Sequence, residues 1–245
     1  MSSRTITARG HPLLTPPKPM EHEWMCLTGA DVDMMRDTLA KFRDFNSEGL
    51  NPKGLELAYL HQHMDFLGVG EEVLPIDRQF IVRSLNYYKG CSSQLMKASS
   101  LSVARKFGID VEPSEKEVQD MQSHLQFARD EGYGDDISLM IFFMRDLGIS
   151  VEKMPSDEKA MRIKLNAMRQ NQNGYDILSL HSYLRNVGVV EDVTKEDKAL
   201  IESALDAARE EKDGARIAQM HYDLRLIFPR EDDAISRAIP PLKKI

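Results

Sequence analysis

The sequence predicts an all-α protein, an α-solenoid of five antiparallel helical hairpins of about 40 residues each, with an extended proline-rich arm before them. Three observations predict this fold class. One sequence pattern returns at a fixed interval along the chain, and apolar residues within each copy follow helical spacing. No sustained alternation of apolar and polar residues indicates a strand.

The repeat is clearest in two columns of equivalent positions. Glycine stands at 68, 108, 148 and 188, and Phe228 takes that place in the fifth copy. Arginine stands three residues before this column in four copies, as Arg105, Arg145, Arg185 and Arg225. The first copy has Asp65 there and fits the register if its internal loop is longer. Self-similarity at such a period is the signature of stacked supersecondary units.

The N-terminal arm comprises residues 1–27. Prolines at 12, 16, 17 and 19 hold its backbone in extended or polyproline geometry and oppose a helix. Leu13, Leu14 and Trp24 are apolar anchors, and we predict that they bind a partner. The basic, hydroxyl-rich start of the arm resembles an organellar transit peptide in composition, but its prolines oppose the amphipathic helix that such a peptide forms.

The repeat domain spans 28–229 and divides into five units. These are 28–70, 71–110, 111–150, 151–190 and 191–229. Ser114 and Thr194 are each followed three residues later by an acid, which predicts a capping box at the start of a helix. Each of the first four units ends in glycine followed by Val or Ile, as a left-handed glycine cap requires.

The C-terminal tail, 230–245, contains Pro240 and Pro241, which stop a helix. The arm and the tail each carry a charge of +1, so the repeat domain carries -9 of the total of -7. A body this acidic disfavours general binding to a phosphate backbone.

Two features of the sequence bear on the cellular location. Cys26 and Cys91 lie far apart without a C-x-x-C motif, which favours a reducing compartment. No stretch is apolar enough to predict a membrane span. We therefore expect a cytoplasmic protein, with the matrix of a mitochondrion or another organelle as the alternative.

The arginine column is the main candidate binding feature. If its helices line a concave face, Arg105, Arg145, Arg185 and Arg225 form a ladder that can bind carboxylates or phosphates. The alternative is structural, because a residue kept in register can pair with acids of the neighbouring unit or cover the core with its aliphatic stem.

The remaining candidates for chemistry are few. His61, His181 and His221 share a column with Leu101 and Ile141, which predicts packed, hydrogen-bonded core histidines and not metal ligands. No nucleotide-binding, hydrolase or metalloprotease motif is present. We predict no catalytic residue, no metal and no cofactor.

The sequence thus favours a non-enzymatic interaction protein, a structural subunit or assembly factor of a larger complex that binds a protein through the solenoid groove and the arm. A helical-repeat protein that binds single-stranded RNA is the alternative, disfavoured by the acidic body. An enzyme is the third hypothesis, and it would show as a buried polar cluster that breaks the repeat pattern.

Overall fold

The computed structural model describes residues 25–47 and 53–229, which form ten α-helices without a strand. These are α1 (Gly29–Ser47), α2 (Gly54–Phe66), α3 (Pro75–Lys89), α4 (Gln94–Lys106), α5 (Glu115–Glu131), α6 (Gly134–Asp146), α7 (Pro155–Gln170), α8 (Gly174–Asn186), α9 (Lys195–Glu210) and α10 (Gly214–Ile227). The prediction of an all-α protein is confirmed. In the described part of the chain, no helix combines the length and the apolar character needed to cross a bilayer.

The odd-numbered helices all begin with one local contact. An acid in the first turn accepts a hydrogen bond from the backbone N–H three residues before it, which satisfies a donor that the helix leaves free. The five contacts are Thr28 to Asp31, Leu74 to Asp77, Ser114 to Glu117, Met154 to Asp157 and Thr194 to Asp197, at 2.8–3.0 Å. The capping boxes predicted at Ser114 and Thr194 are confirmed.

Four even-numbered helices end in the predicted glycine cap. Gly68, Gly108, Gly148 and Gly188 have φ angles of 69° to 79°, in the left-handed region that favours glycine. The following apolar residue donates its N–H to a carbonyl in the last turn, as Val69 does to Met64 at 2.9 Å and Val189 to Leu184 at 2.8 Å. The cap turns the chain out of the inner layer toward the next odd-numbered helix.

The even-numbered helices form the inner layer of the molecule. They contact one another in the order α2, α4, α6, α8, α10 and back to α2, and the odd-numbered helices pack around them. Between the layers lies a methionine-rich apolar core that includes Met35, Met64, Met121, Met144 and Met161, all buried. Burial of each such side chain contributes about 1.5–3 kcal/mol to folding.

Most successive odd-numbered helices are joined by a repeated ion pair, which we call the clasp. An arginine near the end of one helix forms a bidentate pair with the buried first-turn aspartate of the next. The internal clasps are Arg43–Asp77, Arg129–Asp157 and Arg169–Asp197, with Nη2–Oδ2 distances of 2.7–2.8 Å. Lys89 and Glu117 occupy the equivalent positions between α3 and α5. The clasp places the end of one odd-numbered helix beside the first turn of its successor.

The same clasp joins the last unit to the first. Arg209 in α9 pairs with Asp31 in α1 through Nε–Oδ1 and Nη2–Oδ2 distances of 2.9 Å. Arg225 in α10 donates to the carbonyl of Phe66 in α2 at 3.0 Å, and α10 packs on both α1 and α2. The predicted solenoid with an extended groove is therefore not confirmed for the described residues. They close into a ring, because the rotation between successive units completes a turn after five of them.

A glycine column shows that the closing contact is as tight as the internal ones. Gly54, Gly134, Gly174 and Gly214 begin even-numbered helices. A Cβ on them would lie only 2.1, 2.4, 2.0 and 2.1 Å from a backbone oxygen of the next odd-numbered helix. For Gly214 that oxygen belongs to Met34 in α1, so the first and last units are in backbone contact.

Candidate ligand-binding cavity

The five inner helices enclose a cavity of about 370 Å³. Its apolar lining comes from Leu55, Leu95, Met96, Leu139, Phe142 and Phe143. Its polar and aromatic lining includes Tyr59, Gln62, His63, Ser99, Ser102, Lys106, Tyr183, Asn186, Gln219, Tyr222 and Asp223. An apolar cavity of this size with a few convergent polar groups is typical of small-molecule sites.

A second space of about 350 Å³ adjoins the first and shares Tyr59, His63 and Gln219 with it. It lies toward the N-terminal ends of α2, α8 and α10, where Glu56 and Arg216 belong to its lining. The cavity therefore extends toward one end of the inner helices.

The cavity positions depart from the repeat, whereas the core positions keep it. The core column of the inner helices reads Met64, Ala104, Met144, Leu184 and Leu224. A neighbouring column that includes cavity-lining residues reads His63, Val103, Phe143, Tyr183 and Asp223, and another reads Tyr59, Ser99, Leu139, Ser179 and Gln219. A repeat that needs only to stack has no use for five different side chains at one position. The differences therefore indicate a site.

Asp223 is the most unusual residue of the cavity lining. It is 1% exposed, and its Oδ2 accepts a hydrogen bond from Ser179 Oγ at 3.2 Å. No lysine, arginine or histidine of the described residues forms an ion pair with it. Burial raises the pKa of Asp223 to about 7. Hydrogen bonds from Ser182, Ser179 and Gln219 act in the opposite direction, because they stabilise the ionised carboxylate. The carboxyl group therefore changes charge near physiological pH.

Two tyrosines of α8 lie in the electrostatic field of Asp223. Burial raises the pKa of Tyr175 to about 12, and the charge of Asp223 acts in the same direction. Burial also raises the pKa of Tyr183, and the negative charge of Asp223 raises it further. Both phenols stay neutral at physiological pH and can donate hydrogen bonds.

Tyr59, His63 and Tyr222 form an aromatic wall on α2 and α10. The ring centroids of His63 and Tyr222 are 4.6 Å apart, and those of Tyr59 and His63 are 5.9 Å apart. Burial lowers the pKa of His63 to about 3, and Lys106 acts in the same direction, so the imidazole is neutral. The hydroxyl group of Tyr59 forms a short hydrogen bond with Ser99, which fixes its orientation.

The positive charge that borders the cavity is already neutralised. Lys106 Nζ lies 3.2 Å from Asp146 Oδ2, and Ser102 donates a short hydrogen bond to the same carboxylate. Among the described residues that line the first space, Asp223 is therefore the acid without a basic partner.

The predicted arginine column lies at the C-terminal ends of the inner helices. Arg105 donates to the carbonyl of Leu147 at 2.9 Å, and Arg185 to that of Ile227 at 3.1 Å. Arg145 donates to the carbonyl of Val151, the first residue of the next unit, at 3.5 Å. These bonds satisfy carbonyl groups at or just beyond helix ends, which supports the structural alternative. The binding role of the four arginines stays a prediction.

The other predicted site residues are Leu13, Leu14 and Trp24, which lie outside the described residues. The histidine column is buried, as predicted. Nε2 lies near the clasp aspartate in His61 (3.1 Å to Asp77), His181 (3.4 Å to Asp197) and His221 (3.3 Å to Asp31).

The sequence interpretation missed the cavity residues. Asp223, Tyr183 and His63 belong to no short motif, and they are brought together only by ring closure. The signal that could have identified them is the variation within columns that the period aligns.

Fold and cavity together define a closed ring of helices with an internal ligand-sized space. The chain matches no protein-family model, no curated protein and no solved structure. The geometry of the cavity is therefore what indicates a function.

Proposed function

We propose that this protein binds a small molecule in the cavity of the ring. The observation that carries the proposal is the loss of repeat symmetry at cavity-lining positions, while the core column stays apolar in every unit. A buried carboxyl group with a perturbed pKa in such a cavity is a further mark of a functional site. Closure of the ring also supports a compact ligand, because an open groove for an extended partner is absent from the described residues.

Filling the cavity tests the proposal. N-phenyl-1-naphthylamine is a neutral dye whose fluorescence rises in apolar sites, and we expect one equivalent to bind the full chain. Leu139→Trp adds bulk to the apolar lining without removing a hydrogen bond, so it should weaken dye binding at least about tenfold.

Ile163→Trp is the matched control, because Ile163 is 59% exposed on α7 and does not line the cavity. It should leave dye binding unchanged. Equal binding by the Leu139 and Ile163 variants would place the dye elsewhere and contradict the proposal.

The same buried cluster is what an enzyme would require, and a carboxyl group that titrates near neutrality suits general acid–base chemistry. The proposal is one of binding, and the expectation that the protein is not an enzyme stays a prediction. Turnover of a bound ligand would overturn that expectation.

A second candidate function is attachment to a protein partner in a larger assembly. Tyr87 and Phe127 occupy equivalent positions on α3 and α5, and they are 58% and 52% exposed. Tyr133 is 46% exposed, with its ring centroid 5.9 Å from that of Phe127. Exposed aromatic side chains favour a protein interface. Leu13, Leu14 and Trp24 of the arm remain proposed contacts for the same partner.

Removing the aromatic groups tests this candidate. Tyr87→Ala combined with Phe127→Ala should abolish retention of a partner on the immobilised full chain, because exposed aromatic anchors carry much of the binding energy of interfaces. Ala167 and Ala207 occupy the equivalent positions of the fourth and fifth units, which shows that alanine suits the helix there. Retention that survives the double substitution, with dye binding intact, would rule out this surface.

The RNA alternative needs arginines that face one groove. Arg129, Arg169 and Arg209 are engaged in clasps, and Arg105 and Arg185 cap carbonyl groups. We therefore place nucleic acid below a small molecule and a protein partner. A cytoplasmic location remains part of the proposal.

A further inference from the structure

Asp223 differs from every other buried acid of the described residues. Asp31, Asp77, Asp157 and Asp197 are buried too, but each is bound by the arginine of a clasp. Asp223 has only neutral hydrogen-bonding neighbours, such as Ser179 at 3.2 Å. A buried carboxylate is costly without a positive partner, so a cation that enters the cavity gains from pairing with Asp223.

The aromatic lining of the same cavity is suited to binding a cation. Tyr59, Tyr183 and Tyr222 contribute rings from α2, α8 and α10, and Phe142 contributes one from α6. The face of an aromatic ring attracts an ammonium group, and the attraction grows when water is excluded. Two further features oppose other ligands: the unpaired acid repels an anion, and no three His, Cys, Asp or Glu side chains of the described residues are grouped as metal ligands.

We infer that the cavity ligand is an organic amine whose ammonium group pairs with the Asp223 carboxylate among the rings of Tyr59, Tyr183 and Tyr222. The apolar lining from Leu55, Leu95, Leu139 and Phe143 receives the hydrocarbon part of this amine. The inference rests on the proposed binding function and adds the chemical class of the ligand.

Matched probes test the class. Phenethylamine and 2-phenylethanol differ only in the ammonium and hydroxyl groups, and each is used to displace N-phenyl-1-naphthylamine from the full chain. At about pH 8, where Asp223 is ionised, the amine should bind at least about tenfold more tightly than the alcohol. Asp223→Asn should remove this preference, so that the amine and the alcohol displace the dye with similar affinity.

The preference should also depend on pH. Phenethylamine stays cationic from about pH 5.5 to 8, so a change in its affinity reports the protein. Its affinity should fall roughly tenfold for each pH unit below the pKa of Asp223, because binding must then displace a proton. The affinity of 2-phenylethanol should stay constant over the same range.

The groups around Asp223 allow this assignment. The described inner helices present Tyr175 and Tyr183 from α8, His63 from α2 and the Lys106–Asp146 pair across the cavity. The pKa shifts of the tyrosines and of His63 keep these groups neutral over the range tested. On the other face of α10, His221 contacts the Asp31–Arg209 clasp formed by α1 and α9. The variant Asp223→Asn therefore shows whether a pH dependence of amine binding belongs to Asp223.

The outcomes separate the two proposals. If both probes displace the dye equally, or if the amine keeps its advantage in Asp223→Asn, the amine inference is overturned and the binding function stands. If dye binding is insensitive to Leu139→Trp, the binding function itself is overturned.

Discussion

Gly214→Ala should destabilise the protein by at least about 3 kcal/mol, because its new Cβ would lie 2.1 Å from the Met34 carbonyl oxygen. Helices α10 and α1 must separate to relieve this overlap, which breaks the contact between the last and first units. In Gly174→Ala, the new Cβ would lie 2.0 Å from the carbonyl oxygen of Leu200, so this variant should be destabilised to a similar extent. The free energy of unfolding in urea measures both variants.

Gly29→Ala is the control, since Gly29 also begins a helix but a Cβ added to it would meet no other atom within 4 Å. It should be neutral or slightly stabilising, as alanine is in a helix. In an open array, Gly214 would face solvent. Gly214→Ala would then behave like Gly29→Ala, and ring closure would be wrong.

Asp223→Asn should stabilise the ligand-free protein at high pH. The pKa of Asp223 is about 7 in the folded protein and has an ordinary value of 3.8. Between these values the folded protein holds a proton that the unfolded chain has lost, so the contribution of Asp223 to stability falls as the pH rises from about 4 through 7. At about pH 8 the variant should gain on the order of 4 kcal/mol, and near pH 4 almost nothing.

Urea unfolding of both proteins across this range measures the difference. Asp110→Asn, at an exposed position, is the control and should leave the free energy of unfolding within about 0.5 kcal/mol of the wild type. A variant that is less stable than the wild type at every pH would mean that ionised Asp223 is a structural group. Gain of stability on substitution is expected when a residue is kept for binding and not for folding.

The sequence predicts the local structure well because local structure depends on neighbouring residues. The capping boxes at Ser114 and Thr194 and the left-handed glycines each need only a few residues of context. Ring closure is different, because it depends on a small rotation between units that accumulates over the whole chain. Its signal lay in the terminal units, where Asp31 and Arg209 keep residues for which an open array offers no partner.

The candidate site was harder still to predict. Arg105 and Arg185 were predicted as binding residues because they repeat. In the structure they donate hydrogen bonds to backbone carbonyls. Asp223 was not predicted as a site residue, because no other unit has an acid at this position. His63 and Tyr183 occupy the same column in the first and fourth units. In a repeat protein, the stacking contacts produce the regular pattern and a ligand site appears as its exceptions.

Closure through the Arg209–Asp31 clasp also constrains how such a protein can evolve. An open repeat array can gain or lose a unit, because every unit contacts only its neighbours and the ends are free. A ring has no free end. A sixth unit would require every junction to adopt a smaller rotation, and it would widen the cavity at the same time. The number of units and the size of the ligand that fits are therefore linked. Duplication of a single unit, the usual route by which repeat proteins diversify, would disrupt this ring.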